Sequence, residues 1–315
     1  MTTSNTNQNI LKHPIIKAGV DYASRIPVCI DLLSCDLNGD DKKVGTGTGF
    51  FHQRDGIFYL ITNWHILTGR SPQKPEFLLD NYPASPSGFQ IHLASIENPS
   101  HFIPSKVFPL YIEGKPQWLE TSISCLGVDE RIDLVAIKFE FSPLINEALI
   151  TTIENFAPSG KDFMLVGNDV VIIGYPFGLS SENPYPIWKR GYVASEPSIL
   201  IGGMPKYFID TPGRPGMSGS PVFMISKGMA VSAKTHELLK SGNGKGALEV
   251  LGALNMDELT NARDVNILRF AGVYSGSVGD SSLEQLRVGV AWHAAMVDRL
   301  FTHSVEGSNP YPPYL

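Results

Sequence analysis

The sequence predicts an all-β protein, a sandwich or a barrel, on three observations. From Ile26 onward the chain alternates short apolar runs with clusters of Gly, Pro, Asn and Asp. The runs fall at residues 28–33, 49–51, 58–62, 89–93, 134–139, 169–173, 206–209, 221–224, 268–274 and 288–292. They are rich in Val, Ile, Phe and Tyr, side chains that suit a pleated, half-buried surface. Helical periodicity is weak except at residues 294–301, with a fainter trace at 256–262.

The punctuation between the runs supports strands joined by turns. Asn38-Gly39 stands between two of them, the dipeptide of a tight hairpin. Two stretches read as insertions: residues 69–88, rich in Pro and Ser, and residues 226–246, ending in a polar loop. Residues 1–25 read as a polar N-terminal extension, and the Pro- and Tyr-rich residues 307–315 as an extended tail.

A chain of 315 residues with 43% hydrophobic and 18% charged residues buries a sizeable core without a disulfide or metal staple. The net charge of -6 gives no electrostatic case for nucleic acid. No run approaches the ~20 apolar residues of a membrane span, so no membrane partner is expected. The N-terminal segment is polar and does not read as a secretory signal. Cys29, Cys35 and Cys125 are few, odd in number and outside CxxC spacing, which points to a reducing compartment, the cytoplasm.

Three segments carry chemistry. An apolar run at 58–62 leads directly into Asn63-Trp64-His65, and imidazole is the side chain that takes and returns a proton near neutral pH. Asp133 immediately precedes the run 134–139, where an anchored carboxylate can hold the second ring N–H of an imidazole. Pro215-Gly216-Met217-Ser218-Gly219-Ser220-Pro221 puts a serine between glycines ahead of another run. Small neighbours admit a substrate carbonyl, and the N–H groups of Gly216 and Ser218 can converge on one oxyanion. Read singly, the histidine is a structural residue and the aspartate a turn or cap residue; the three together are far more specific.

Thr62-Asn63-Trp64-His65, Asp133-Leu134-Val135-Ala136-Ile137-Lys138 and the Pro215–Pro221 segment resemble the trypsin-like serine peptidases, nearest the bacterial HtrA/Deg branch. The order His, Asp, Ser, at spacings of 68 and 85 residues, matches the chymotrypsin arrangement. The resemblance extends over residues 26–301 and implies two packed six-stranded antiparallel β-barrels with a short C-terminal helix. The first barrel is expected over 26–150 and the second, with the helix, over 151–303, before a tail at 304–315. It further implies a serine endopeptidase, a hydrolase in which Ser218 is the nucleophile, His65 the base and Asp133 its orienter. Gly216 and Ser218 would supply the oxyanion hole, and Tyr274, Ser275 and Gly276 would pair with an extended protein or peptide substrate. No metal or cofactor is required.

The sequence departs from the family in three places. Met217 precedes the nucleophile where digestive trypsins carry an aspartate, so activation by N-terminal cleavage is not expected. About 14 residues follow Phe301, too few for the PDZ domain of HtrA proteases. Pro212 stands six before Ser218, so a tryptic preference is unsupported, and the expected P1 residue of the substrate is a small or medium apolar one. Trp292 and Met217 read as packing residues. The alternatives are an effector protease switched on by a protein partner and a non-catalytic binding module on the same fold.

Other signals fail. Gly45-Thr46-Gly47-Thr48-Gly49 lacks the spacing, lysine and helix of a phosphate loop. His236-Glu237-Leu238-Leu239-Lys240 lacks the second zinc histidine. The acidic turn of Asp36, Asn38, Asp40 and Asp41 lacks an EF-hand's glycine and terminal glutamate, and Cys125 lacks the context of a nucleophile.

Overall fold

A strand buried on both faces reads as a continuous apolar run rather than an alternation, because successive side chains point to opposite sides. The computed structural model describes residues 21–36, 39–94, 102–125, 127, 130–140, 150–156, 158, 164–178, 185–230, 263–276 and 285–313. In it, neighbouring residues of one strand enter different cores. Phe50 and Ile61 pack with Val171, Phe223 and Phe270 between the two halves of the molecule, while Phe51 and Leu60 pack into the core of the first half. Val170 and Ile172 fill the interior of the second half, and Val171 and Ile173 face the first.

The first half begins with β1 (Pro27–Cys35), β2 (Asp41–Arg54) and β3 (Ile57–Thr62), followed by a short helix, Trp64–Thr68. The turn between β1 and β2 includes Gly39 at φ 86°; Asn38 lies outside the described residues. Next come β4 (Gly88–Ala94), β5 (Phe102–Pro104), β6 (Phe108–Pro109), β7 (Tyr111–Ile112), β8 (Lys115–Pro116), β9 (Leu119–Thr121) and β10 (Val135–Phe139). The second half contains β11 (Asp169–Gly174), β12 (Ile187–Val193), β13 (Lys206–Asp210), β14 (Pro221–Ala230), β15 (Arg263–Gly276) and β16 (Val288–His293). A helix, Ala295–Thr302, then returns the chain to β17 (Ser304–Glu306).

The two six-stranded barrels implied by the resemblance are corrected. The second half closes as a barrel in the order β11-β12-β13-β16-β15-β14. The first is an open nine-stranded sheet in the order β17-β9-β10-β3-β2-β1-β4-β5, with β6 also on β4, and β7 and β8 form a separate hairpin. The reason is edge occupancy. A strand has two hydrogen-bonding edges, and β9 gives one to β10 and the other to β17. At the opposite border, β4 spends its outer edge on β5 and β6 in turn. With β17 on the edge of β9, that strand has no free edge on which the sheet can close.

The insertion at 69–88 folds back over the helix Trp64–Thr68, with Leu79 N–H bonded to Gly69 O at 2.8 Å. The trace of periodicity at 256–262, the segment at 236–240 and most of the insertion at 226–246 lie outside the described residues. Among the described residues, no helix is long and apolar enough to cross a membrane.

Candidate active site

Asn63 continues β3 in an extended conformation, φ -87° and ψ 150°, before the chain turns into the helix Trp64–Thr68. His65 is therefore the second residue of a buried helical turn rather than the end of the strand itself. Gly69 ends the turn at φ 68°, its N–H returning to His65 O at 2.9 Å. The Asn63 side chain leaves the helix end uncapped and donates instead to the Asp133 carbonyl at 2.6 Å. That bond ties the approach to β10 against the end of β3.

Asp133 is buried, and its carboxylate accepts three hydrogen bonds from described residues. Its Oδ1 receives His65 N–H at 2.9 Å, and its Oδ2 faces His65 Nδ1 at 2.7 Å. The Ser275 hydroxyl also donates to Oδ2. The carboxylate thereby fixes the imidazole through both its backbone and its ring. With Nδ1 protonated toward Asp133, Nε2 is left as the basic nitrogen. Tyr82 covers this corner; burial first, and the Asp133 charge second, hold its phenol well above the usual tyrosine range.

Ser218 stands on the opposite wall, in the loop joining β13 to β14. Gly216 has φ 88° and Gly219 φ 85°, values that L side chains rarely adopt. A Cβ on Gly216 would lie 2.4 Å from Tyr175 O, and one on Gly219 would lie 1.9 Å from Thr48 O. The loop is thus pressed against the rest of the protein. Pro215 C=O accepts Phe177 N–H at 2.7 Å, and Met217 C=O accepts Ser220 N–H at 3.1 Å. In a trans peptide the N–H opposes the C=O, so the N–H groups of Gly216 and Ser218 point away from those anchors. Neither N–H has a protein acceptor among the described residues.

Thr48 joins the two halves. Its N–H donates to Ser218 O at 2.9 Å, and its hydroxyl donates to Gly216 O at 2.7 Å. The same hydroxyl accepts Tyr175 N–H at 3.0 Å. The glycine-rich segment 45–49 is accordingly part of β2, and its glycines let backbone come close: a Cβ on Gly49 would lie 2.9 Å from Ile61 O. Sequence reasoning rejected this segment as a nucleotide loop and did not see Thr48. The signal was present as a polar residue between two glycines on a strand.

His65, Gly216, Ser218 and Gly276 line one cleft of about 510 Å³. Pro212, Arg214 and Arg287 line it on the Ser218 side, with Asp80 from the 69–88 insertion. The Ser218 hydroxyl donates to Ser275 O at a long 3.5 Å and makes no hydrogen bond to His65. The backbone of Tyr274 is engaged within the protein. Its side chain is buried, its N–H goes to Ser220 O at 2.9 Å and its C=O takes Gly219 N–H at 2.8 Å. Ser275 is occupied through its side chain by Asp133, a role the sequence reading did not assign. Met217 and Trp292 are both buried in core clusters. Among the described residues, no group of His, Cys, Asp and Glu could hold a metal ion.

A cleft with a buried His–Asp pair on one wall and a glycine-flanked serine on the other, between a sheet and a β-barrel, belongs to the class of trypsin-like peptidases. The family profile described as trypsin-like peptidase domain matches residues 47–231, more than half of the chain, and the chain belongs to that family. A search of curated proteins found no match.

Proposed function

We propose that the chain is a serine endopeptidase of the HtrA/Deg-like branch, acting in a bacterial cytoplasm on protein or peptide substrates. The observation that carries the reading is the His65–Asp133 pair facing Ser218 across the cleft, beside two backbone N–H groups that have no acceptor among the described residues. In this reading Ser218 Oγ attacks the scissile carbonyl while His65 Nε2 takes its proton. The carbonyl oxygen, now negative, is held by the N–H groups of Gly216 and Ser218, whose partner carbonyls are already tied down. His65 then gives the proton to the leaving amine, and the acyl group stays on Ser218. Water, deprotonated by His65, releases it and restores the serine. Asp133 orients the imidazole and stabilises its charged form. The substrate backbone pairs with the strand end at Ser275 and Gly276.

One observation favours a second reading, a protease aligned by its substrate or a partner. Ser218 Oγ rests toward Ser275 O, so the hydroxyl must rotate toward His65 before it can attack. Catalytic hydrogen bonds often tighten only in the bound complex.

The test is intact mass after incubation with a fluorophosphonate. One adduct is expected on the wild type and none on Ser218→Ala. A folded wild type that stays unmodified overturns the constitutive enzyme; an adduct appearing only with a cellular partner selects the switched one.

A further inference from the structure

After β17 the chain runs along the outer side of the His65–Asp133 wall, where residues 307–311 contact both the helix that bears His65 and the segment that leads into Asp133. Gly307 N–H bonds to Trp118 O at 2.8 Å. Ser308 C=O accepts Trp64 Nε1–H at 3.0 Å, and Trp64 is the residue before His65. The same carbonyl accepts Arg131 Nη1–H at 3.1 Å, and Ser308 Oγ accepts Arg131 Nη2–H at 2.9 Å. Arg131 lies two residues before Asp133, and its guanidinium sits 4.5 Å from the centre of the Trp64 ring. Glu120 completes the node: it pairs with Arg131, and its Oε1 accepts Ser308 N–H at 2.7 Å and Trp118 Nε1–H at 2.8 Å. Farther on, Asn309 donates to Tyr111 Oη at 2.8 Å, and the Tyr311 ring lies 5.3 Å from the guanidinium of Arg70, just beyond the His65 helix.

We infer that residues 307–311 are a clasp that positions the catalytic pair, acting through Trp64 on His65 and through Arg131 on Asp133. The inference rests on the reading of His65 and Asp133 as the catalytic pair. Its physical basis is the weakness of the alternatives. The helix bearing His65 is a single turn of five residues, too short to hold its own geometry. Asp133 lies on a loop rather than in β10 itself. The direct bonds of His65 and Asn63 to Asp133 join these two short pieces on the cleft side, and a single carbonyl, that of Ser308, takes a hydrogen bond from each on the outer side. Trp64, Arg131 and Ser308 are therefore positioning residues that touch no substrate.

Two full-length variants test it. A Cβ on Gly307 would fall 2.4 Å from Trp118 Nε1, so Gly307→Val evicts the segment without altering any side chain near the cleft. Trp64→Phe keeps an aromatic ring beside Arg131 and removes the N–H bond to Ser308, together with part of a buried ring. The first readout is the low-field NMR resonance of the His65 Nδ1 proton bonded to Asp133, which needs no activity. The second is the rate of fluorophosphonate labelling. The expected result for Gly307→Val is a broadened or lost resonance and labelling slowed about tenfold, since small misplacements of a catalytic group are costly. A synthetic peptide of residues 307–313 should restore both. Trp64→Phe should slow labelling about threefold and shift the pH midpoint of the rate. A resonance and labelling rate unchanged in both variants overturn the clasp, as does a loss that follows global unfolding and that the peptide does not reverse. If the wild type shows the resonance and the variant loses it, yet neither is labelled, the clasp stands and the proteolytic reading falls.

Discussion

The two walls of the cleft are held by different kinds of bond. On the His65 wall the ties are side chains: the Asp133 carboxylate, the Asn63 amide and the Trp64 indole reach across from one short piece to the next. On the Ser218 wall the ties are chiefly backbone: Pro215, Met217 and Ser218 carbonyls each accept a main-chain N–H. The supporting frames differ in the same sense. The Ser218 loop springs from a closed barrel that has no border, whereas the His65 wall belongs to an open sheet whose edge is covered by β17. A wall held by side chains fails by loss of a functional group; a wall held by backbone fails when a Cβ is added where none fits.

That contrast can be broken from either side. The largest effect is expected from Asp133→Asn, which leaves the shape but not the charge that holds His65 in its tautomer. Under the proposed mechanism kcat should fall about 10⁴-fold with the fold intact, as read by steady-state kinetics beside circular dichroism. A fall below tenfold would separate Asp133 from the chemistry. Gly219→Ala attacks the other wall through its backbone. The positive φ and the 1.9 Å approach to Thr48 O require the loop to shift, and denaturant unfolding should show a loss of about 3 kcal/mol. Full stability in this variant would mean that the loop yields freely.

Thr48→Val tests the link between the walls. It removes the hydroxyl that bonds Gly216 O and Tyr175 N while keeping the volume, deleting two buried hydrogen bonds. Labelling of Ser218 should slow about tenfold, because the Gly216 peptide loses one of its anchors. An unchanged rate would show that the Phe177 bond to Pro215 O suffices.

The smallest effect is expected at Lys189, whose Nζ is buried on the inner side of β12 with no acceptor among the described residues. Burial first, and the Arg214 charge second, push its ammonium down to about 8 from an ordinary 10.5. The folded state therefore holds this proton less tightly than the unfolded chain. Its destabilising effect is full below pH 8 and fades as pH rises toward 10.5. Lys189→Met should have a higher Tm than the wild type at pH 7, with the gain narrowing above pH 8. A gain independent of pH would trace the effect to packing alone.

Much of the candidate site was legible because the chemistry proposed for it is local. A histidine after an apolar run, an aspartate before one and a serine between glycines are each visible in a few residues, and their order added the rest. What escaped the sequence were residues defined by a partner far along the chain. Thr48 meets Gly216, Ser275 reaches Asp133 through its hydroxyl, and Ser308 meets Trp64, and none of these pairs leaves a local pattern. Tyr274 shows the converse. It lies beside the cleft in sequence, but strand alternation buries its side chain and the Ser218 loop takes its backbone.

The sequence by itself determined that the chain is built of β-strands, and it did so through run length and composition, since a strand buried on both faces must be apolar at consecutive positions. It also singled out His65, Asp133 and the glycine-flanked Ser218, the residues on which the proposed acyl transfer rests. Only the tertiary structure decided that the first half stays open while the second closes. Closure depends on which strand claims the last free edge, and that strand is three residues, Ser304–Glu306, arriving from the far end of the chain. Edge pairing is a contest between backbones, and backbone groups are the same in every residue but proline, so the sequence carries little mark of the winner.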